Sequence, residues 1–395
     1  MIMRFKQFTV LHLFLLCFVT GNAQVYIPAY GAIVEQVSQS GILANLVQFE
    51  NFGVKYRGTS AQANTLAWLK DQYLSYGYST SQIVEDPFVY SGTTCKNLIV
   101  TKTGTLYPNK YVIVCGHFDT VAGPGTNDNG SGVTAILEIA RLLQNIQTEY
   151  SVRFINFSGE EDGLRGSQDY VSNVVNATSP KMDIRLVFNL DQVGGIAGMT
   201  NNTITCERDQ SSPTINNALS NVMTNQLINC VGLYSPLNTN LSYAYGSDYM
   251  PFQSNSEIIT GFYETNESPY SHTANDLLVN MDPGYVYNVT KAAVGATLHF
   301  AVACTNCGLG STSVSADKGF RAYPNPASQN LYIDNAQLAS YSYIIADVLG
   351  KVIYTRSITS PSITETIDIS KFASGTYLLT ITTNDLRLTR KIIIN

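Results

Sequence analysis

Apolar residues follow two periodicities between about residue 33 and residue 303. Short apolar runs typical of buried strands occur at residues 97–100, 111–115, 152–157, 185–190 and 258–263. Apolar residues with helical spacing occur at residues 65–76, 133–143 and 286–303. Because strands alternate with helices, the pattern predicts an α/β fold, with a mostly parallel sheet flanked by helices on both faces.

The pattern changes after Cys307. Residues 308–318 are rich in Gly, Ser and Thr, which is typical of a linker. Beyond them, short strand-like segments lie at residues 330–333, 341–347, 351–356, 376–382 and 387–394, with a turn at Leu349-Gly350. We therefore expect residues 319–395 to form a small all-β sandwich.

The N-terminus has the layout of a secretory signal peptide. Arg4 and Lys6 precede an apolar stretch at residues 10–19, and Gly21-Asn22-Ala23 is a small-residue cleavage signal. The apolar stretch is too short for a transmembrane helix, and no later segment predicts one. The predicted organisation is a signal peptide at 1–23, a first domain at 24–307, a linker at 308–318 and a second domain at 319–395.

Composition narrows the range of partners. The 395-residue chain is 45% hydrophobic and 13% charged, with a net charge of −6. An acidic chain of low charge argues against a nucleic-acid partner. Export permits disulfides, and six of the seven cysteines follow the signal peptide. Cys206 and Cys230 are the predicted bridge, and Cys304-Thr-Asn-Cys307 is spaced to close a small local loop.

Polar motifs stand at the ends of several predicted strands. They lie at residues 116–119, 125–132, 160–161, 189–191 and 271–276. In open α/β sheets the carboxyl ends of parallel strands form the site, so these motifs are expected to meet. The adjacent Glu160 and Glu161, taken alone, are more typical of a solvated turn before a helix than of a site.

The distribution of histidine favours a site over a solvated turn. Of the four histidines, His12 lies in the signal peptide and His299 in the last helix. His117 and His272 both stand among acidic residues at strand ends. Imidazole and carboxylate ligands together suit zinc better than magnesium or calcium. Two ions need a shared carboxylate when the ligands are so few.

The ordered set of motifs resembles one known family. His-x-Asp, Asp-x-x-Ser-Gly, Glu-Glu-x-Gly-x-x-Gly-Ser, a strand-end Asp and a final His follow one another in the order of the co-catalytic di-zinc aminopeptidases of the bacterial leucyl aminopeptidase type. The resemblance covers about residues 30–305. It implies two Zn²⁺ per chain and an exopeptidase that acts on the N-termini of peptides or proteins.

The resemblance also implies a role for each ligand. His117 and Asp191 would hold one zinc ion, and Glu161 and His272 would hold the other. Asp128 would bridge both ions, and in this family the bridging Asp precedes a non-proline cis peptide bond.

The remaining roles surround these ligands. Glu160 would be the general base that takes a proton from the attacking water and returns it to the leaving amine. Asp119 would orient His117, and Asp276 would do the same near His272. Tyr243 or Tyr245 would stabilise the oxyanion unless it is a packed aromatic residue.

The specificity of the site is left open. Phe252, Phe262 and Tyr263 are candidates for an apolar substrate pocket, with core packing as the alternative. Three activities remain as rivals: glutaminyl cyclisation on the same scaffold, carboxypeptidase or dipeptidase activity, and a non-catalytic surface binding module. The sequence does not indicate which N-terminal residue is preferred.

The C-terminal segment resembles a second module. The motifs Tyr-Pro-Asn-Pro-Ala-Ser at 323–328, Asp-Val-Leu-Gly-Lys at 347–351, Ser-Gly-Thr-Tyr at 374–377 and Lys-Ile-Ile-Ile-Asn at 391–395 are similar to a type IX secretion sorting domain. This implies a secreted or cell-surface protein that meets outer-membrane secretion machinery. The alternative, an adhesive or carbohydrate-binding sandwich, lacks a cluster of aromatic residues.

Overall fold

A computed structural model describes residues 24–304, 320–335, 341–347, 351–359, 364–382 and 387–395. The chain divides into two compact units, with the boundary in sequence after residue 308. The predicted signal peptide, the whole predicted linker and the Leu349-Gly350 turn lie outside the described residues. No helix within the described ranges is both long enough and apolar enough to cross a bilayer.

The first unit combines eight strands with eight α-helices in its described residues. The helices are α1 (Pro28–Val34), α2 (Gln39–Asn51), α3 (Ser60–Ser75), α4 (Gly130–Leu143), α5 (Arg165–Tyr170), α6 (Asn217–Tyr234), α7 (Met250–Ser254) and α8 (Pro283–Phe300). The strands are β1 (Ile83–Tyr90), β2 (Thr93–Lys102), β3 (Tyr107–His117), β4 (Tyr150–Phe157), β5 (Asp183–Leu190), β6 (Thr203–Arg208), β7 (Asn238–Tyr243) and β8 (Ile259–Glu264).

The eight strands form one mixed sheet in the order β1-β2-β4-β3-β5-β8-β6-β7. Its central strands β4, β3, β5 and β8 are parallel, and so are β6 and β7. Antiparallel pairing joins β1 to β2, β2 to β4 and β6 to β8. The predicted α/β fold with a mostly parallel sheet is therefore confirmed.

The strands that the sequence pattern missed lie toward the sheet edges. β1 contains Pro87, which lacks an N–H donor and is tolerated at an edge, and it is buried at only a few positions. β7 has no buried side chain. Continuous apolar runs predict strands buried on both faces, so the central strands were easier to recognise than these.

Helix α4 lies at the centre of the fold. All of its residues except Arg141 are buried, and it packs against α2, α8 and the sheet. It begins at Gly130, three residues before the predicted start, because the side chain of Asn129 caps it by accepting a hydrogen bond from Gly132 N–H. This cap places the loop before α4 directly at the carboxyl ends of the strands.

The second unit is a sandwich of two antiparallel sheets. Its strands are β9 (Phe320–Tyr323), β10 (Asn330–Asn335), β11 (Tyr341–Asp347), β12 (Val352–Ile358), β13 (Thr364–Asp368), β14 (Gly375–Thr382) and β15 (Arg387–Ile394). One sheet has the order β13-β10-β9 and the other β12-β11-β14-β15. Leu331 of the first sheet and Ile345 of the second belong to one buried apolar core, which confirms the predicted all-β domain.

The cysteines depart from the sequence-based prediction. Cys206 and Cys230 are both buried free thiols, so the predicted bridge between them is wrong. They lie on β6 and α6, which pack together, and each fills apolar space in the core. Cys304 is disulfide-bonded. Its predicted partner, Cys307, lies outside the described residues.

Candidate metal centre

Three of the predicted motifs stand at the carboxyl ends of adjacent parallel strands. His117 is the last residue of β3, and Asp191 directly follows β5. Glu160 and Glu161 follow β4, whose last residue, Phe157, pairs with His117 in the register. The sheet therefore places these side chains side by side, as expected for an open α/β sheet.

His117 is buried between two carboxylates. Its Nε2 atom lies 3.3 Å from Asp128 Oδ1 and 3.3 Å from Asp191 Oδ1. Its other nitrogen, Nδ1, lies 3.0 Å from the backbone oxygen of Asp119. An N–H at Nδ1 would bond that oxygen and leave Nε2 as a free electron-pair donor, which is the tautomer that a metal ligand needs.

Asp128 lies between the two histidines. Its Oδ1 faces His117, and its Oδ2 lies 3.2 Å from His272 Nε2. The Asp128–Asn129 peptide bond is cis, as the resemblance implies. A carboxylate with one oxygen toward each histidine is positioned to bridge two ions.

Glu161 and His272 complete the group. Glu161 Oε2 lies 3.0 Å from His272 Nε2. The adjacent carboxylate of Asp128 raises the pKa of His272 to about 9, against the opposing effect of burial. The carboxylates thus attract positive charge to this point, whether it is carried by a proton or by a metal ion.

The donor set fits zinc. One ligand atom each from His117, Asp128 and Glu161 lies within 4.8 Å of the others. Asp128 Oδ2 is buried and makes no well-aligned hydrogen bond despite its short distance to His272. Such an oxygen is costly to bury without a cation, and mixed imidazole and carboxylate ligands match zinc coordination.

The carboxylate of Asp119 contacts the glutamate loop and does not orient His117 as predicted. Its carboxylate accepts hydrogen bonds from the backbone N–H groups of Glu160 and Glu161, each at 3.2 Å. Its nearest carboxylate oxygen is 3.9 Å from His117 Nδ1, so its backbone oxygen, and not its side chain, meets the imidazole. The Asp119 carboxylate therefore fixes the loop that carries the two glutamates.

Asp276 also differs from the prediction. Its carboxylate accepts hydrogen bonds from the backbone N–H groups of Asn127 and Asp128, at 2.8 and 2.9 Å. It therefore holds the loop that carries Asp128 and forms no hydrogen bond or ion pair with His272. The spacing of Asp276 from His272 in sequence gave no indication of this long-range contact.

Glu160 is half-buried close to the ligand cluster. Burial raises the pKa of Glu160 to about 10, with His117 opposing the shift and Asp191 reinforcing it. A cation among the neighbouring carboxylates would lower that pKa again, because positive charge favours the ionised carboxylate. The protonation state of Glu160 therefore depends on whether a cation is bound among the neighbouring carboxylates.

Three supporting residues were not recognised from the sequence. Ser247 donates a short hydrogen bond to Asp191 Oδ2 and accepts one from Asn189 Nδ2 at 2.9 Å. Asn129 Nδ2 donates to the backbone oxygen of Leu190 at 2.9 Å, which ties the Asp128 loop to β5. Small polar residues are common in loops, so residue type alone does not identify these three. The only signal in the sequence is that Asn129 adjoins Asp128 and that Asn189 lies two residues before Asp191.

A pocket of about 280 Å³ opens beside Asp191 and His272. Tyr245 and Tyr263 line it, but Tyr243 does not; Tyr243 is exposed and stacks under the guanidinium of Arg208. Phe262 does not line this pocket as predicted, because its ring is fully buried against Phe188 on the opposite face of β8.

Strand alternation explains that difference. Successive side chains of a strand point to opposite faces, so Tyr263 faces the pocket when Phe262 faces the core. Phe252 is likewise fully buried, packed near Phe157 and Tyr170. The apolar pocket expected from these phenylalanines is therefore absent from the described residues beside the site.

Known proteins resemble the chain in sequence and in fold. An aminopeptidase of Bacillus subtilis, YwaD, is 37% identical over 107 residues, which cover 27% of this chain and 23% of the relative. The chain thus spans about a quarter of that curated relative's length.

Solved structures share the fold at low identity. The LapA aminopeptidase of Legionella pneumophila is 20% identical with a TM-score of 0.62, over 75% of this chain and 80% of that chain. A glutaminyl cyclase of Macrostomum lignano is 14% identical with a TM-score of 0.61, over 70% of this chain and 93% of that one.

Family models match both units. Residues 321–395 match the secretion system C-terminal sorting domain, in agreement with the resemblance of the C-terminal motifs. Residues 97–297, just over half of the chain, match the model of peptidase family M28 and contain every ligand described above. The chain therefore belongs to peptidase family M28.

Proposed function

We propose that this protein is an exported, zinc-dependent aminopeptidase that removes residues from the N-termini of peptides. The observation that carries the proposal is the convergence of His117, Asp128 and Glu161 on one point, with His272 3.0 Å from Glu161. Membership of peptidase family M28 and the aminopeptidase name of the Bacillus subtilis relative support it.

Each ligand has a proposed place around two zinc ions. His117 and Asp191 would hold one ion, Glu161 and His272 the other, and Asp128 would bridge them. Zinc, when bound, polarises a carbonyl oxygen and lowers the pKa of water toward about 7. The surrounding network of Asp119, Asp276 and Ser247 would hold the ligands in place.

Glu160 is the proposed general base. It would accept a proton from the attacking water and transfer it to the leaving amine, so that the amine departs neutral. Two adjacent glutamates could then have different tasks, because the Glu161 carboxylate contacts His272 while the Glu160 carboxylate accepts no hydrogen bond from any described residue. The loop held by Asp119 would keep both carboxylates in position.

We also propose a route of export. The sorting-domain match of residues 321–395 supports passage through an outer-membrane secretion system, with the protein released or held at the cell surface. Secretion machinery would then be its transient partner. The four-part organisation, with a signal peptide at 1–23 and a linker at 308–318, is part of the same proposal.

Glutaminyl cyclisation is the second candidate, because a glutaminyl cyclase shares the fold with a TM-score of 0.61. A single test separates the two activities. Purified protein is incubated with a peptide that begins with Gln, with a peptide that begins with Leu, and with N-acetylated forms of both, and products are followed by mass.

Stepwise shortening of the free peptides alone is the expected result. Loss of ammonia from the Gln peptide without shortening would replace the proposal with cyclisation, and internal or C-terminal cleavage would refute both. Glu160→Gln should lower the rate by at least about a hundredfold. Asp183→Asn serves as the control, since Asp183 is an exposed residue at the opposite end of β5.

A further inference from the structure

The pocket beside Asp191 and His272 contains a buried carboxylate that the proposed reaction does not use. Glu207 lies on β6, is 3% exposed and lines the pocket. Its Oε2 accepts a hydrogen bond from the hydroxyl of Tyr249 at 2.5 Å. Among the described residues, no donor is bonded to its Oε1. Half of this buried carboxylate is therefore available to a ligand.

The rest of the pocket is also suited to positive charge. Glu267 lines its rim, and no described Lys or Arg forms an ion pair with Glu267 or with Glu207. Tyr245 and Tyr263 form an aromatic wall, with ring centroids 6.1 Å apart in an edge-to-face arrangement. Aromatic faces attract cations through their quadrupole. The two tyrosines and the Glu207 carboxylate therefore both favour a cationic ligand.

The position of the pocket indicates which part of a substrate enters it. Asp191 and His272 belong both to the ligand cluster and to the pocket wall. A peptide whose first peptide bond lies at the cluster would therefore direct its first side chain into this cavity. An apolar side chain there would cover the Glu207 carboxylate without giving it a partner, which is unfavourable.

We propose that this pocket receives the side chain of the substrate's N-terminal residue and selects lysine or arginine, with Glu207 as the principal specificity residue. The inference rests on the proposed aminopeptidase function and adds its substrate class. The ammonium or guanidinium group would donate to Glu207 Oε1, and its aliphatic stem would lie against Tyr245 and Tyr263. The volume of about 280 Å³ accommodates such a long, unbranched side chain.

The test compares substrates that differ in charge but not in shape. The zinc-loaded protein is assayed with fluorogenic amides of lysine, arginine, norleucine and leucine, because norleucine has the same unbranched stem as lysine without the ammonium group. The value of kcat/KM for lysine should exceed that for norleucine by about tenfold or more, as expected for a hydrogen bond to a charged group. An equal or higher value for norleucine would overturn the inference.

Variants locate the effect. Glu207→Gln keeps the shape and the bond from Tyr249, and it should lower the lysine-to-norleucine ratio by about tenfold. Should that variant fold poorly, Glu267→Gln at the exposed rim is expected to lower the ratio by a smaller factor. The control Asp183→Asn makes the same carboxylate-to-amide change far from the pocket and should leave the ratio unchanged.

The outcomes separate the two levels of the proposal. Hydrolysis of norleucine and leucine amides without a preference for lysine contradicts the specificity and leaves the aminopeptidase function standing. Failure to hydrolyse any aminoacyl amide contradicts the function itself. An unchanged ratio in both Glu207→Gln and Glu267→Gln would show that selection of a cation, if present, arises elsewhere.

Discussion

The carboxylate of Asp276 accepts a hydrogen bond from the backbone N–H of Asp128 at 2.9 Å, across 148 residues of sequence. The same carboxylate accepts a second bond from the N–H of Asn127. An anion with two donors from one loop holds the orientation of that loop. The proposed bridging ligand Asp128 is thus positioned by a residue whose carboxylate hydrogen-bonds to the backbone of its loop and to neither histidine.

We expect Asp276→Asn to weaken zinc binding by about tenfold to a hundredfold. An amide offers only one acceptor oxygen, so its NH₂ group would face one of the two backbone donors. Zinc affinity is measured by competition with a chromogenic chelator, and Asp183→Asn is the matched control. An affinity equal to that of wild type would show that Asp276 does not position Asp128.

Gly166 allows α5 to pack against the glutamate loop. A Cβ atom at this position would lie 2.2 Å from the backbone oxygen of Ser158 and 2.3 Å from Asn97 Oδ1. Gly166→Ala should therefore displace the loop, lower the free energy of unfolding by about 1–3 kcal/mol and reduce activity.

Gly232 provides a matched control for this substitution. It also lies in a helix, α6, but a Cβ atom there meets nothing within 4 Å. Gly232→Ala should leave activity unchanged and raise stability by up to about 1 kcal/mol. Chemical denaturation of both variants measures the difference, and equal effects would refute the close approach at Gly166.

Lys55 makes stability depend on pH. Its side chain is fully buried, and it donates hydrogen bonds to the backbone oxygens of Gly53 and Pro124. Burial lowers the pKa of Lys55 to about 7. Between that value and the ordinary lysine value of about 10.4, the unfolded chain binds more protons than the folded chain, so stability rises with pH.

The comparison with Lys55→Met isolates this effect. The free energy of unfolding of wild type minus that of the variant should increase by about 2 kcal/mol between pH 7 and pH 9. This difference between wild type and variant should be reversible, and it should decrease when the pH is returned from 9 to 7. Urea denaturation at a series of pH values gives the difference, and a flat dependence would mean that Lys55 keeps its ordinary pKa in the folded protein.

Four buried thiols should be hidden from reagents. Cys95, Cys115, Cys206 and Cys230 are free, and burial raises the pKa of each thiol. Because the thiolate is the reactive form, a colorimetric thiol reagent should label none of them in the native protein. Denaturation without reductant should expose all four. Exposure of only two would indicate that Cys206 and Cys230 are bridged after all.

Much of the fold was predictable because its signals are local. The runs at residues 111–115 and 152–157 are apolar throughout, as strands buried on both faces must be, and they became β3 and β4. β6 and β7 have no such signal, since neither consists of a continuous apolar run, and their pairing depends on contacts distant in sequence.

The chemistry of the candidate site was also present in the sequence. Only His117 and His272 stand among acidic motifs, and residue identity alone limits which ions such a group can hold. Local sequence, however, carries no information on which atom of a residue meets which neighbour. Asp119 lies two residues from His117, yet its carboxylate turns to the Glu160 loop.

By itself, the sequence determined five strands of the sheet and the helices α3, α4 and α8, the ligand types and the family to which they point. Only the tertiary structure decided that Asp276 holds the Asp128 loop, that Phe262 faces the core and that Glu207 lies in the pocket. Side-chain type and periodicity are properties of a short segment. Partners are set by strand register and packing between segments far apart in the chain, which no single segment encodes.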